Sequence, residues 1–219
     1  MTRVLPADCE LIETMRVLPD GDIPLWHEHR HRLERSAEAL GFVLEHQALE
    51  DILHSIVTDV NDVTGVSDAS QRCRLTLRKT GDLSYVLTPL GVTHEPVLIR
   101  LSEGPVVRAA RTRFLDDFKV SMRDHYEYAM TGRGHADDVL LMNEASEITE
   151  CTIYNIYAAN AAGIFTPPLR CGLLPGIERA RLLRTGWATE QVLQVSDVMN
   201  ASQLYVSNAV RGCLRATLV

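Results

Sequence analysis

The apolar residues of this chain alternate between two spacings, and this change of period limits the folds that the chain can adopt. Over residues 72–78 every second side chain is apolar, which predicts a strand, and Thr80-Gly81-Asp82 is a turn signal that folds it into a hairpin. Over residues 49–60 the apolar side chains instead recur every three or four positions, which predicts an amphipathic helix. A chain that mixes both periods throughout belongs to the α/β or α+β class.

The remaining segments follow the same two patterns and divide the chain into two lobes. Helices are predicted over 25–40, 121–131 and 176–185, with Gly41 and Gly186 closing the first and the last. Strands are predicted over 11–17, 96–101, 138–143, 148–153, 156–160, 164–166, 203–208 and 214–218. We therefore expect an N-terminal lobe over 1–104, a linker over 105–117 and a C-terminal lobe over 118–219, with a cleft between the lobes.

Composition narrows the classes of partner. The chain has 22 basic and 29 acidic residues, and this net charge of −7 argues against nucleic acid and favours a small molecule. The five cysteines are widely spaced and form no CxxC pair, so we expect neither a disulfide framework nor a metal site. No apolar run approaches the roughly 20 residues of a membrane helix. The cytosol is therefore the expected location, without membrane association.

Two charged residues lie in apolar surroundings. Lys119 is one of only two lysines and lies between Phe118 and Val120, a setting that disfavours the charged ammonium and suits a lysine that forms a Schiff base. A surface lysine is the alternative. Glu150 lies in the strand-like run 148–153, where a buried carboxylate needs a partner such as a protonated pyridine nitrogen. Exposure on an edge strand is the alternative for Glu150.

A loop rich in proline and glycine, residues 167–177, opens the helix predicted over 176–185. The first N–H groups of a helix have no intrahelical acceptor, so Gly176 and Ile177 form a candidate phosphate site. Arg32 lies beside a core leucine in the helix predicted over 25–40, and its planar fork also suits phosphate. A simple helix start and a solvated arginine are the alternatives.

Taken together, these segments resemble the class IV pyridoxal-phosphate aminotransferases, and within them the 4-amino-4-deoxychorismate lyases. The resemblance covers most of the chain and depends on the order in which its motifs occur. These motifs are Leu11-Ile12-Glu13-Thr14-Met15-Arg16, His29-x-x-Arg32-Leu33-x-x-Ser36-Ala37-x-x-Leu40-Gly41, Lys119-Val120-Ser121-Met122-Arg123-x-x-Tyr126, Asp138-Val139-Leu140-Leu141-Met142-Asn143-Glu144, Glu147-Ile148-Thr149-Glu150, Asn155, Thr166-Pro167-Pro168-Leu169, Cys171-Gly172-Leu173-Leu174-Pro175-Gly176-Ile177-x-Arg179 and Asn208-Ala209-Val210-Arg211-Gly212.

The resemblance implies a two-lobed homodimer that binds pyridoxal 5'-phosphate in the cleft between its lobes. Lys119 looks like the catalytic Schiff-base lysine, and Glu150 looks like the carboxylate that keeps the pyridine nitrogen protonated. Three groups look like the phosphate site, namely Arg32, the helix start at Gly176-Ile177 and the backbone at Asn208-Ala209. Thr14, Arg123 and Tyr126 match positions in the vicinity of the substrate.

Two residues depart from the family pattern. Glu178 stands where transaminases of the group often have Thr or Ser, which removes a hydroxyl from the phosphate site. Phe118 stands where members often have His or Tyr, directly before the lysine.

The resemblance implies a lyase that releases pyruvate from aminodeoxychorismate and leaves para-aminobenzoate, in the folate pathway. The alternative within the family is an aminotransferase that acts on a D-amino acid or a branched-chain amino acid. A third alternative is a protein that binds the cofactor without catalysis, or a plain α/β domain in which Lys119 has no special role.

Overall fold

The chain folds into two compact units. The computed structural model describes residues 5–6, 8–64, 69–106 and 113–219. The first unit comprises Met1–Val92 and Phe118–Met122, and the second comprises Thr93–Asp117 and Arg123–Val219. The chain therefore passes from one unit to the other three times.

The first unit contains a three-stranded antiparallel sheet in the order β1-β2-β3 and two helices. Its elements are β1 (Leu11–Val17), α1 (Trp26–Leu40), α2 (His46–Thr64), β2 (Gln71–Leu77) and β3 (Leu83–Pro89). These elements confirm the first predicted strand, the first two helices and the hairpin. Gly41 ends α1 with a φ of 71°, the left-handed conformation that favours glycine, as predicted.

The second unit contains an eight-stranded mixed sheet in the order β6-β5-β4-β11-β10-β7-β8-β9. Its strands are β4 (Val97–Leu101), β5 (Asp138–Met142), β6 (Ile148–Cys151), β7 (Asn155–Asn160), β8 (Gly163–Thr166), β9 (Thr189–Glu190), β10 (Gln203–Asn208) and β11 (Gly212–Leu218). Its helices are α3 (Asp124–Thr131), α4 (Ile177–Arg184) and α5 (Val195–Met199). Apolar side chains from β4, β5, β6, β7, β10 and β11 form the core of this unit. The mixed α/β class predicted from the two periodicities is confirmed.

The units divide at points that differ from the predicted lobe boundaries. Strand β4 falls in the predicted N-terminal lobe, but it pairs in parallel with β5 and β11 and so belongs to the second unit. Phe118–Met122 falls in the predicted C-terminal lobe, but Val120 pairs with Leu11 of β1 and so this segment belongs to the first unit. In the predicted linker, residues 107–112 lie outside the described residues. Backbone hydrogen bonds between distant segments, which local patterns do not encode, set these divisions.

The helices differ from expectation at two places. The helix predicted over 121–131 begins only at Asp124, because the backbone of Ser121 is bonded to Glu10 in the first unit. Helix α5 has five residues, too few for a visible apolar period, and sequence analysis missed it. Within the described ranges, no helix has both the length and the apolar character that crossing a membrane requires.

A buried charged cluster ties α1 to β1 in the first unit. Glu13 is 2% exposed and accepts two hydrogen bonds from Arg32, from Nε to Oε1 (2.8 Å) and from Nη2 to Oε2 (2.6 Å). His29 Nδ1 lies 2.6 Å from the same Oε2. Burial raises the pKa of Glu13, but the charge and hydrogen bonds of Arg32 and His29 outweigh it and lower the pKa to about 2. The ionised carboxylate is therefore the form that the folded unit stabilises.

Replacing Glu13 by Gln should remove a stabilisation that depends on pH. The pKa of Glu13 falls from an ordinary 4.5 to about 2 on folding, so its ionisation stabilises the fold above pH 4.5 and this contribution is lost as the pH falls towards 2. Urea unfolding between pH 6 and pH 3 measures the free energy of unfolding of the native protein and of Glu13→Gln. The difference between the two should narrow on acidification, within a full range of about 3 kcal/mol.

Glu34→Gln is the matched control, because Glu34 also pairs with an arginine of α1 but its side chain is 43% exposed. The free energy of unfolding of Glu34→Gln should stay close to that of the native protein at every pH, since exposed ion pairs contribute about 0–1 kcal/mol. A gap for Glu13→Gln that does not change with pH would contradict the assignment.

Candidate active site

Lys119 lies in a short segment that is hydrogen-bonded along β1 in the first unit. The N–H of Ile12 donates to the carbonyl of Lys119 at 2.8 Å, and the N–H of Ser121 donates to the carbonyl of Glu10 at 2.9 Å. The hydroxyl of Ser121 also accepts the N–H of Glu10 at 3.0 Å. The backbone on each side of Lys119 is thus fixed to the sheet.

The register of this pairing determines the face on which Lys119 lies. Leu11 and Val120 are partners in an antiparallel bridge, so the next pair places Lys119 opposite Ile12. Side chains that lie opposite each other share a face, and those along one strand alternate. Lys119 and Thr14 therefore lie on the same face of the sheet, and both are half-buried. The structure brings the candidate lysine and one predicted substrate-vicinity residue onto one surface.

Glu150 lies on β6 in the second unit and is 4% exposed. Its Oε1 accepts the hydroxyl of Tyr126 at 2.5 Å and the backbone N–H of Leu174 at 3.1 Å. The side-chain amide of Asn155 makes a longer contact of 3.5 Å with Oε2. These donors suit an ionised carboxylate, which accepts hydrogen bonds and donates none. Glu150 is thus a buried acid, which confirms burial over the exposed alternative.

The start of α4 is built around Gly176. The side-chain amide of Asn155 donates to the carbonyl of Leu174 at 3.1 Å, and a Cβ added to Gly176 would lie 1.9 Å from Asn155 Oδ1. Only glycine leaves room for this contact. Helix α4 then begins at Ile177, and no described side chain caps it. The first N–H groups of α4 therefore suit an anionic ligand.

Two further predicted residues donate hydrogen bonds to the turn between β6 and β7. Arg123 donates from Nη2 to the carbonyl of Thr152 at 2.5 Å, and its guanidinium carbon lies 4.5 Å from the centre of the Tyr126 ring. Asn208 donates from Nδ2 to the carbonyl of Ile153 at 3.2 Å. One turn thus connects Arg123, directly before α3, to Asn208 at the end of β10.

Asn208 also shapes the turn that follows β10. Its Oδ1 accepts the backbone N–H groups of Val210 (3.1 Å) and Arg211 (2.9 Å). Ala209 lies inside this turn and is half-buried. The backbone at Asn208-Ala209, predicted to contact phosphate, is therefore held in a fixed conformation.

The predicted site residues divide between the two units. The first unit carries Lys119, Thr14 and Arg32. The second unit carries Glu150, Arg123, Tyr126, Gly176, Ile177, Asn208 and Ala209. Within the second unit, hydrogen bonds link Glu150, Tyr126 and the loop before Gly176. Within the first unit, Arg32 gives two of the five N–H donors of its guanidinium to Glu13.

Asp138, on β5, supports this arrangement, and sequence analysis did not single it out. Its Oδ1 accepts the N–H (3.0 Å) and the hydroxyl (2.6 Å) of Thr152, and its Oδ2 accepts the N–H of Ile153 at 3.1 Å. Asp138 is 1% exposed, and burial raises its pKa while these hydrogen bonds act in the opposite direction. The sequence offered one signal for this role, namely that Asp138 is an acidic residue at the start of an apolar strand.

Asn155 and Leu174 were also given no role by sequence analysis beyond their place in the matching motifs. Asn155 joins Glu150 to the loop before α4, and Leu174 contributes a backbone N–H that no side-chain pattern reveals. A separate cavity of about 260 Å³ opens beside Asn143, Thr149 and Cys171 in the second unit. None of the predicted site residues lines this cavity.

The second unit fits a ligand that has a ring nitrogen at one end and a phosphate at the other. The buried carboxylate of Glu150 suits a protonated nitrogen, because an opposite charge stabilises it. The start of α4 has no side-chain cap, and the backbone at Gly176 carries no Cβ, so this helix start suits a phosphate. Pyridoxal phosphate combines both groups.

Comparison with known proteins agrees with this fit. The model of the family "Amino-transferase class IV" matches residues 10–219. The "Putative aminodeoxychorismate lyase" of Schizosaccharomyces pombe is 28% identical over 221 residues, which cover 97% of this chain and 90% of that protein.

Two solved structures extend the comparison. The crystal structure of a "Putative amino-acid aminotransferase" from Mesorhizobium loti is 35% identical, with a TM-score of 0.85, over 97% of this chain and 100% of that one. That of a "Putative 4-amino-4-deoxychorismate lyase" from Legionella pneumophila is 21% identical, with a TM-score of 0.77, over 95% of this chain and 82% of that one; this likeness is one of fold. The chain therefore belongs to the class IV aminotransferase family, whose members are enzymes that depend on pyridoxal phosphate.

Proposed function

We propose that this chain is a lyase that converts 4-amino-4-deoxychorismate into para-aminobenzoate and pyruvate. The observation that carries the cofactor chemistry is the buried Glu150 carboxylate, held by Tyr126, the N–H of Leu174 and Asn155. The similarity to the Schizosaccharomyces pombe protein, which extends along nearly the whole chain, supports the substrate. A cytosolic homodimer is part of the same proposal.

The proposed cofactor contacts follow the roles that the family resemblance implies for these residues. Lys119 would hold the cofactor covalently, and Glu150 would lie against the ring nitrogen. The N–H groups at Gly176-Ile177, the backbone at Asn208-Ala209 and the guanidinium of Arg32 would contact the phosphate. Fixed backbone supports each of the first four positions: β1 for Lys119, β6 for Glu150, α4 for Gly176-Ile177 and the end of β10 for Asn208.

The protein groups would divide the proton chemistry between them. Bound pyridoxal phosphate supplies an electron sink that stabilises the carbanion formed when the substrate loses a proton. Glu150 would keep the proton on the ring nitrogen, and the hydrogen bonds that Tyr126 and Leu174 donate to its carboxylate support this role. The amine of Lys119 would take the proton from the substrate, as an uncharged lysine can.

Elimination then follows from the substrate itself. Loss of the ring proton is followed by cleavage of the bond between the ring carbon and the enolpyruvyl oxygen. The enolpyruvate that leaves takes up a proton and becomes pyruvate, and the ring becomes aromatic. No second substrate is required, so the site needs no further acceptor subsite.

An aminotransferase is the second candidate, and one observation favours it. The Mesorhizobium loti protein is 35% identical over 97% of this chain, and its name describes an amino-acid aminotransferase. A D-amino acid or a branched-chain amino acid would be the substrate. Both reactions begin with proton removal by the same lysine, so the residues of the site serve either one.

Borohydride reduction should attach the cofactor to Lys119. The protein as purified, or after incubation with pyridoxal phosphate, is reduced and digested, and the pyridoxyl peptide is identified by mass spectrometry. Lys79, the other lysine and an exposed one, provides the control. Lys79→Ala should keep the yellow absorbance and Lys119→Ala should lose it. A pyridoxyl group on Lys79 would refute the assignment.

Gly176→Ala should weaken cofactor binding by disturbing Asn155. The added Cβ would lie 1.9 Å from Asn155 Oδ1, so the amide must move away from Leu174 and Glu150. Overpacking of this kind costs about 1–3 kcal/mol. The apoprotein should melt at a lower temperature, and the dissociation constant for pyridoxal phosphate, measured by absorbance titration, should rise.

The control for Gly176→Ala is Gly104→Ala in the same unit, because a Cβ at Gly104 meets nothing within 4 Å. This variant should match the native protein in both measurements. Equal affinity of Gly176→Ala and Gly104→Ala for the cofactor would place the phosphate elsewhere.

The lyase reaction is distinguished from transamination by its products. With aminodeoxychorismate and no keto acid, the holoenzyme should form pyruvate and para-aminobenzoate in equal amounts, and the cofactor spectrum should persist through many turnovers. Glu150→Gln should retain cofactor but slow this turnover by orders of magnitude, because the ring nitrogen loses its charged partner. Rapid conversion to the pyridoxamine form by a D- or L-amino acid, with no pyruvate from aminodeoxychorismate, would instead establish the aminotransferase.

A further inference from the structure

The first turn of α4 contains a buried acid at the place where the proposed function puts a phosphate. Glu178 is the second residue of α4, directly after Ile177, and it is 4% exposed. An ionised carboxylate in the first turn satisfies the positive end of the helix dipole, which is also what attracts an anionic ligand. Because burial excludes solvent, its repulsion of a phosphate would be poorly screened.

Arg181 engages both oxygens of this carboxylate. Its Nε donates to Oε2 of Glu178 at 2.9 Å, and its Nη2 donates to Oε1 at 2.6 Å. This is the two-pronged geometry that makes arginine–carboxylate pairs strong and specific. The arginine side chain is 41% exposed whereas the glutamate side chain is 5% exposed, so the pair reaches from the buried helix start to solvent.

We infer that Arg181 is a positioning residue that neutralises Glu178 and turns its carboxylate aside, so that the start of α4 accepts a phosphate. The inference rests on the proposed function, which places the cofactor phosphate at Gly176-Ile177. It assigns a role to a pair that does not itself contact the phosphate. Without Arg181, the carboxylate would remain in the first turn as an uncompensated negative charge.

A double-mutant cycle on the apoprotein tests this role, with the dissociation constant for pyridoxal phosphate as the readout. Arg181→Gln should weaken binding on the order of tenfold, which corresponds to about 1.4 kcal/mol. Glu178→Gln should bind at least as tightly as the native protein, because it removes the repelling charge. The double variant Glu178→Gln with Arg181→Gln should regain near-native affinity. Arg181→Lys, which keeps the charge, should lose less than Arg181→Gln.

Three controls separate charge compensation from a loss of fold and from a loss of general electrostatic attraction. Arg184→Gln removes the same charge from the last turn of α4 and should leave the affinity unchanged. Inorganic phosphate, measured as a competitor of the cofactor, should lose affinity in parallel with pyridoxal phosphate in Arg181→Gln. Melting of each apoprotein reports whether the helix pair merely stabilises the fold.

Three outcomes would overturn the inference. In the first, Arg181→Gln leaves the affinity for pyridoxal phosphate unchanged. In the second, it weakens the affinity by the same factor in the native protein and in the Glu178→Gln variant. In the third, it lowers only the melting temperature. Gly176→Ala then tells the two proposals apart. If Gly176→Ala weakens binding while the Arg181 cycle shows no coupling, only the role of Arg181 fails. If neither variant changes the affinity, the proposed phosphate position fails as well.

Discussion

A buried carboxylate on β5 fixes the turn on which the second unit's candidate site is built. Asp138 accepts the N–H groups of Thr152 and Ile153 on one side of this turn, while the carbonyls of the same two residues receive Arg123 and Asn208. The turn also joins the strand of Glu150 to the strand that begins at Asn155. A carboxylate with 1% exposure is stable only with its hydrogen bonds complete, so the turn has little freedom to change.

The sequence predicted those parts of the fold that local patterns encode. The alternation over 72–78 and the helical period over 49–60 each matched an observed element, and Gly41 ends α1 as expected. What it could not predict was pairing between distant segments. Strand β4 inserts in parallel between β5 and β11, and Val120 pairs with Leu11 across more than a hundred residues, so the unit boundaries differ from those expected.

The candidate site shows the same contrast between residue type and partner. Sequence analysis singled out Lys119 and Glu150 because a charged group in apolar surroundings is costly without a partner. In the structure Glu150 is buried and accepts contacts from three hydrogen-bond donors. The backbone N–H of Leu174 and the close approach of Asn155 to Gly176 cannot be predicted from a pattern of side chains. Glu178 was noticed only as a missing hydroxyl, whereas its partner Arg181, one turn further on, required the structure.

The threefold crossing of the chain between its units has a consequence for how such a protein can be divided or recombined. Lys119 belongs to the first unit, yet the residues on both flanks of Phe118–Met122 belong to the second. A single proteolytic cut therefore cannot release the two units as intact pieces, because one piece always retains a part of the other. Recombination of genes faces the same barrier: neither unit is a contiguous cassette, so the segment with Lys119 and the strand with Glu150 must be inherited together.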